Sequence, residues 1–593
     1  MSRNKSEHED ILTDVIVIFI FACVTAALYI NVFNSYWLYD DPYLLRNLTE
    51  HKIQHFFTDP EVWKKISVSN LTPWIMLSYG LDFSLSGLNN GFFFAHHLIS
   101  LWLASSALYL VLRLWLRPLW SASASLLFLA NAPTAALAEI LMTRHYIEGL
   151  LLFLSAFYLY VKSAREKSIK YSLFSAVLYF LSMSAKEIYV PMIIVFAALP
   201  EGSPGRRIRA IFPLIIAFIF YVLWRLYMLG GFITGPGKSI LLSSYKSFGA
   251  AFQLPGQISG FIMMMSGTTK ISNFVHPFIV ISSAVFIILS FFFLLKSKNF
   301  KAISFHIILF VTVYFIPLSV IDPHSALYDI PQYRIAFLTA AYNSIALALA
   351  AGFIYEHINK KIPAFGSLAL SKIVLFIFSC VIVMTCLSSA LWIRNEREVT
   401  LKPLAKEGSF FMNSDNNHLL VKSNPLWGGV FYYENLDFLR QYYQLGPPPL
   451  VIYNYFAFID DPEAQELKGM KVFRYDAVRG SLSDITSSFF QERFNYLSRI
   501  KKMPLRVALR VDDAVLSYSM GPSDTGNYFA LLGIKPGTYC MMLQGRDFTP
   551  MSLFKSLRFY VRFGWESAEG WVTFSPEWFV DFHKDSEIIW ERD

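Results

Sequence analysis

The sequence predicts a polytopic α-helical membrane protein with a polar domain after its last span, on three observations. The 593 residues are 55% hydrophobic and 17% aromatic with only 16% charged, and mean hydropathy is +0.43, a composition foreign to soluble globular chains. Apolar runs near the roughly 20 residues that a helix needs to cross a bilayer recur about eleven times up to residue 393. Beyond residue 394 the runs give way to polar sequence with alternating stretches such as LRVALRV and SLRFYVRFGW. The net charge of +8 does not form a nucleic-acid stripe, because the basic residues are scattered between apolar runs.

In order, the candidate spans are 11–32, 92–112, 119–136, 148–162, 171–185, 188–200, 210–229, 276–295, 302–321, 335–355 and 370–393. The polar start MSRNKSEHED leads into a run without a small-residue cleavage site, so the first span is read as uncleaved. Every second connector is short and basic: Arg113 and Arg117; Lys162, Arg165, Lys167 and Lys170; Arg206, Arg207 and Arg209; Lys296, Lys298 and Lys301; Lys360 and Lys361. The positive-inside rule puts these connectors and the N-terminus in the cytoplasm, and the others outside. The outer parts are then a long first loop, 33–91, a stretch at 230–275 that could lie on the interface as an amphipathic helix, and everything after 394. The division expected is a transmembrane domain, 1–393, and an extracytoplasmic domain, 394–593. The latter is mixed α/β at first and β-sandwich-like over about its last ninety residues.

Cys23, Cys380, Cys386 and Cys540 show neither CxxC nor Cys/His spacing, so no disulfide framework or zinc site is supported. The adjacent His96 and His97 point about 100° apart on a helix and make a poor metal pair. GPGKSI at 235–240 ends like a phosphate-binding loop but has Phe232 where glycine is required. No cofactor is assigned, although a divalent metal stays open.

The chemistry-bearing candidates lie on the side expected to be outer. Asp40 and Asp41, in SYWLYDDPYLLRN, follow the first span directly, and Pro42 is expected to keep Asp41 out of a helix. Arg144 in LMTRHYIEG, Lys186 in SMSAKEIYVP and Arg334 in IPQYRIAF run against the positive-inside trend. Cations at that depth suit an anionic lipid headgroup, above all a phosphate. Each also admits a plainer reading: Glu139, Glu148 or Glu187 could pair with a cation locally, and Asp-Asp-Pro is good turn chemistry. His145, Glu148, Glu187 and Tyr333 stand beside the cations as supporting candidates.

Residues 36–110, with Pro73, Leu77, Ser78, Leu81 and Asp82 in LTPWIMLSYGLDF, resemble the opening of the GT-C membrane glycosyltransferases. The resemblance is nearest to the protein O-mannosyltransferase-like and TPR-containing O-mannosyltransferase-like members. TRHYIEGLLLF is similar to the family's fourth-span segment, LSMSAKEIYVPM to its Ser-Lys-Glu motif and QYRIAFLTAA to its late Arg-Tyr segment. The similarity covers about the first 390 residues. Thr72 stands where the family often has Arg, and Glu148 where it has Asp. No MIR or TPR domain follows.

The resemblance implies a GT-C fold and an inverting transfer of a hexosyl or pentosyl group from a polyprenyl-phosphate carrier to an acceptor hydroxyl. Asp40, first of the pair, would be the general base, with Asp41 holding the loop or assisting the acceptor. Arg144, Lys186 and Arg334 would converge on the donor phosphate in an outer-leaflet cavity, where no general acid is needed. The expected partners are that lipid-linked donor, the membrane, and an acceptor that is protein, lipid or polysaccharide, with no nucleic acid. The expected place is a bacterial inner membrane, C-terminal domain outside. The competing readings are a transporter or flippase of lipid-linked glycans, and a catalytically inactive scaffold.

Overall fold

The computed structural model describes residues 2–231, 292, 304–309, 312–313, 337–361, 364–397, 401–421, 430–452, 469–476, 478–491 and five strands between 505 and 592. Its contacts divide the chain into two units, one of residues 1–34 and 47–395, the other of 35–46 and 396–593.

The described residues of the first unit are mainly helical. α1 (Ser2–Tyr29) runs into a 3-10 turn at Ile30–Asn34. Ile11, Leu12, Val15 and Phe19 on α1 are exposed, the mark of a helix whose apolar surface faces lipid. A helix over Asp41–Glu50, α2, begins in the second unit and ends in this one. The short α3 (His55–Thr58) and α4 (Pro60–Ile66) follow. Next come α5 (Trp74–Ser86), α6 (Asn90–Arg113), α7 (Pro118–Ala130), α8 (Ala132–Glu139), α9 (Arg144–Glu166) and α10 (Ile169–Ala185). A 3-10 turn at Glu187–Met192 leads to α11 (Ile193–Ala198) and α12 (Pro204–Leu229). Two later helices are α13 (Phe337–Lys361) and α14 (Ala364–Glu396). α6 and α9 form the buried centre, with α10 packed on α9 and α12 on α10.

Four helical stretches of the described residues are long and apolar enough to cross a membrane: Ile11–Asn34, Asn90–Arg113, Leu141–Glu166 and Pro204–Leu229. A fifth is the bent pair α7 and α8. Of the eleven spans read from sequence, four or five meet that length and hydropathy among the described residues, and 276–295 and 302–321 lie largely outside them. Two of the differences have local causes. The expected span at 188–200 is only the 3-10 turn, which contains Pro191, plus α11. Those twelve residues reach about 21 Å, short of a ~30 Å hydrocarbon core.

The run 119–136 bends by 55° at the α7–α8 break. Pro133 has no N–H to continue the ladder, and Asn131 Oδ1 starts α8 by accepting from Thr134 N at 2.9 Å. Carbonyls beside the break and at the end of α8 find side-chain donors. Tyr29 donates to the Leu129 carbonyl, His97 Nε2 lies 2.8 Å from the Leu137 carbonyl, and Thr143 donates to those of Leu137 and Ile140.

The second unit carries β1 (His418–Val421), β2 (Leu450–Ile452), β3 (Lys471–Asp476) and β4 (Ser481–Asp484), in the sheet order β2-β1-β3-β4. β1 is central and parallel to both neighbours, with Leu419 opposite Leu450 and Val472. Its buried Leu419, Leu420 and Val421 suit a strand covered on both faces. α15 (Lys402–Asn413) precedes β1, and α16 (Val430–Tyr442) crosses from β1 to β2. Five further strands, β5 (Leu505–Val511), β6 (Ala514–Met520), β7 (Cys540–Gln544), β8 (Tyr560–Gly564) and β9 (Ile588–Arg592), pair antiparallel as β6-β5-β9 and β7-β8.

Candidate functional site

In the first unit three helix faces meet in one buried polar network. Trp74, Ser78 and Asp82 follow one another at intervals of four along α5, so they share a face. Arg144 and Glu148 do the same on the first turns of α9, and Phe93 and His96, three apart, share a face of α6. Arg144 is fully buried. Its Nη1 meets Asp82 Oδ2 at 2.5 Å and Ser78 Oγ at 3.2 Å, and its Nη2 donates to the Phe93 carbonyl at 2.5 Å. The guanidinium also lies 5.0 Å from the Tyr79 ring centre and 5.5 Å from that of Phe93.

Glu148 accepts from Trp74 Nε1 at 2.7 Å and Ser78 Oγ at 2.8 Å. His96 bridges the two acids, with Nδ1 2.7 Å from Asp82 Oδ1 and Nε2 3.4 Å from Glu148 Oε1. Ser78 thus donates to Glu148 while accepting from Arg144, which fits a hydroxyl's capacity.

Lys186 behaves differently. It is the extended residue (φ −155°, ψ 135°) between α10 and the 3-10 turn. Its half-buried Nζ sits 4.8 Å from the centre of the Tyr146 ring, with no ion-pair or hydrogen-bond partner among the described residues. Tyr189 donates to the Tyr146 carbonyl at 2.5 Å, and Gly149 lets that ring close on α9: a Cβ there would fall 2.4 Å from Tyr189. His145 is buried against Tyr146, ring centres 4.8 Å apart. Glu187 accepts from Leu71 N at 2.6 Å and pairs with Arg225. Arg334 and Tyr333 lie outside the described residues, as does the phosphate-loop look-alike at 235–240.

The aspartate pair belongs to the second unit. Asp41 is fully buried, and its Oδ2 accepts from Leu38 N at 2.8 Å; Asp40 is exposed. Asp41 opens α2 with Pro42 in the first turn, so the proline starts a helix where it was expected to prevent one. The first turn needs no N–H from that position, so proline is well tolerated there. Tyr39, just before, takes a left-handed backbone at φ 49°. The segment is held by α15 and α16. Tyr432 donates to the Trp37 carbonyl at 2.7 Å, Arg46 Nη1 reaches Asn435 Oδ1 at 3.4 Å, and the Arg46 guanidinium lies 4.6 Å from the Phe438 ring centre. A Cβ at Gly408 would fall 2.3 Å from the Tyr432 hydroxyl. Burial pushes the Tyr36 hydroxyl up to about 12 and that of Tyr432 well above its usual value, so both keep their protons at any physiological pH.

Sequence reasoning used Ser78 and Asp82 only as residues of the resemblance, gave Trp74 no part in the site, set His96 aside as a metal decoy, and missed Arg225. The signal for Arg225 was a lone cation in the apolar run FYVLWRLYML, where an ionisable group needs a partner. Among the described residues no group of three or more His, Cys, Asp or Glu side chains is arranged to hold a metal ion.

The long apolar helices make the chain an integral membrane protein. No family model matches it, and no curated protein does. Among solved structures it is similar to the oligosaccharyltransferase of Archaeoglobus fulgidus tethered with an acceptor peptide, at 14% identity and TM-score 0.38. That match covers 64% of this chain and 55% of the other, little more than half its length. The archaeal oligosaccharyltransferase AglB from the same organism, in complex with an inhibitory peptide and a dolichol-phosphate, matches at 12% identity and TM-score 0.41. It covers 85% of this chain and 74% of its own. ArnT from Cupriavidus metallidurans, bound to undecaprenyl phosphate, also matches at 12% and 0.41, covering 94% of this chain and 99% of its own. At such identities and scores, function rests on the chain's own residues.

Proposed function

We propose that the protein is an inverting membrane glycosyltransferase of the GT-C class, moving a sugar from a polyprenyl-phosphate donor to an acceptor hydroxyl. The observation that carries this reading is the half-buried Lys186 ammonium, set on Tyr146 beside a buried polar network and without an acid partner among the described residues. A cation kept uncompensated near a helix end suits an anionic headgroup.

In this reading Lys186 meets the donor phosphate, with Arg334 as a second cation. Arg144 serves from beneath, by fixing Ser78 and Asp82 and through them Glu148 and His96. Asp40 takes the proton of the acceptor hydroxyl as that oxygen attacks the anomeric carbon. The anomeric C–O bond to phosphate breaks, and the phosphate leaves as an anion stabilised by the cations. Asp41, engaged at Leu38 N, keeps the turn. The basic connectors support a cytoplasmic N-terminus and an outer C-terminal unit; the membrane proposed is a bacterial inner membrane.

A second reading, carriage of lipid-linked glycans, draws on the break between α7 and α8, since discontinuous helices are a transporter feature. Turnover separates the two. Purified protein is given polyprenyl-phosphate-linked sugars and a membrane fraction as acceptor source, and free polyprenyl phosphate is measured. Release with loss of the donor sugar is the result for a transferase. Binding without release, across the whole donor panel, overturns the enzyme reading in favour of carriage.

A further inference from the structure

Arg225 lies within the last two turns of α12, in an otherwise apolar run, and the transfer chemistry gives it no task. Its Nη1 pairs with Glu187 Oε1, and its Nη2 donates to the Ser69 carbonyl at 3.0 Å. The same Glu187 oxygen accepts from Leu71 N at 2.6 Å. α12 fastens this loop at other points too. The Tyr221 hydroxyl donates to the Leu71 carbonyl at 3.1 Å, and Trp224 Nε1 to the Phe57 carbonyl at 2.8 Å. The Trp224 ring stacks on Phe57 with centres 6.1 Å apart.

Glu187 is also the chain neighbour of Lys186, and so the acid that sequence places nearest the ammonium. Lys186 has an extended backbone, which sends neighbouring side chains to opposite faces. Arg225 and Leu71 N then hold the carboxylate on its own side, and no ion pair joins Glu187 to Lys186. Arg144 is matched by Asp82 and Arg225 by Glu187, which leaves Lys186 as the unmatched one of these three cations.

We propose that Arg225 is a positioning residue that holds the Glu187 carboxylate away from Lys186, so that the ammonium stays available to the phosphate of an anionic lipid. The inference rests on the lipid-phosphate reading above. The freed carboxylate would otherwise compete with the ligand for the same cation, a loss comparable to one charge-assisted contact.

The test is equilibrium binding of undecaprenyl phosphate to the full-length protein in nanodiscs, beside the neutral undecaprenol and inorganic phosphate. Wild type is expected to prefer the lipid phosphate over both. Arg225→Gln should weaken its binding by about tenfold. Glu187→Gln should tighten it by about two- to fivefold, and the double variant should return to within about twofold of wild type. A purely structural role for Arg225 predicts no recovery in the double variant and weaker binding in Glu187→Gln; either result overturns the inference alone. If Arg225→Gln fails to fold, the direction of the Glu187→Gln change decides. Equal binding of lipid phosphate and alcohol by wild type, or full competition by inorganic phosphate at equal concentration, overturns the lipid-phosphate reading and the inference with it.

Discussion

Arg144 and Lys186 are cations at neighbouring helix ends, yet their surroundings give them different duties. Arg144 is sealed against Asp82, Ser78 and the Phe93 carbonyl, and Asp82 is itself fully buried. Arg144→Ala would leave that carboxylate without its counter-charge, at a cost of about 3–5 kcal/mol. Lys186→Ala gives up a half-exposed contact with Tyr146 worth about 0.5–1 kcal/mol. Denaturant melts of the two variants in one detergent should therefore separate clearly, with Lys186→Ala near wild type yet poor in binding lipid phosphate. Equal destabilisation would make Lys186 another structural cation. Single charges at span ends were legible in the sequence, and they led directly to Arg144, Lys186 and Glu148. Their partners were not: Asp82 lies 62 residues from Arg144, a separation that no helical period links to it.

Among the elements, the contact between α9 and the 3-10 turn sets where Lys186 begins. Tyr189 closes over Gly149 and donates to the Tyr146 carbonyl, and Tyr146 is the ring beneath Lys186. Gly149→Ala should displace Tyr189 and cost about 1–3 kcal/mol by overpacking. Replacing Tyr189 by Leu in the same chain should recover part of that loss in thermal melting, because the crowding ring is gone. No recovery would mean that the glycine matters for another reason.

The long apolar runs found α6, α9 and α12 because each keeps its pattern over six turns or more. The run at 119–136 hid a bend and the run at 188–200 fell short of a span, because apolar content says nothing about continuity. Pro133 and Pro191 interrupt both, and Asn131 before Pro133 was a cap signal in plain view. Pro42 misled in the other sense, since a proline at a helix start looks the same in sequence as one at a helix end.

For the whole molecule, composition was enough to name a membrane protein, and the fall of hydropathy after 394 marked the start of a polar region. The contacts of residues 35–46 were beyond sequence reasoning. Tyr432, Asn435 and Phe438 hold a segment almost four hundred residues upstream, and Gly408 makes room for Tyr432. The grip fixes the turn in which Asp40 is exposed and Asp41 is buried at Leu38 N, and in the proposed transfer it would hold the general base in place. The most direct measurement is single-turnover release of polyprenyl phosphate from a sugar-loaded donor by wild type, Asp40→Asn and Asp41→Asn. Asp40→Asn is expected to melt like wild type but to transfer about 10²–10⁴-fold more slowly. Asp41→Asn, which keeps an oxygen for Leu38 N, should retain measurable transfer. Transfer by Asp40→Asn at the wild-type rate would rule out Asp40 as the general base.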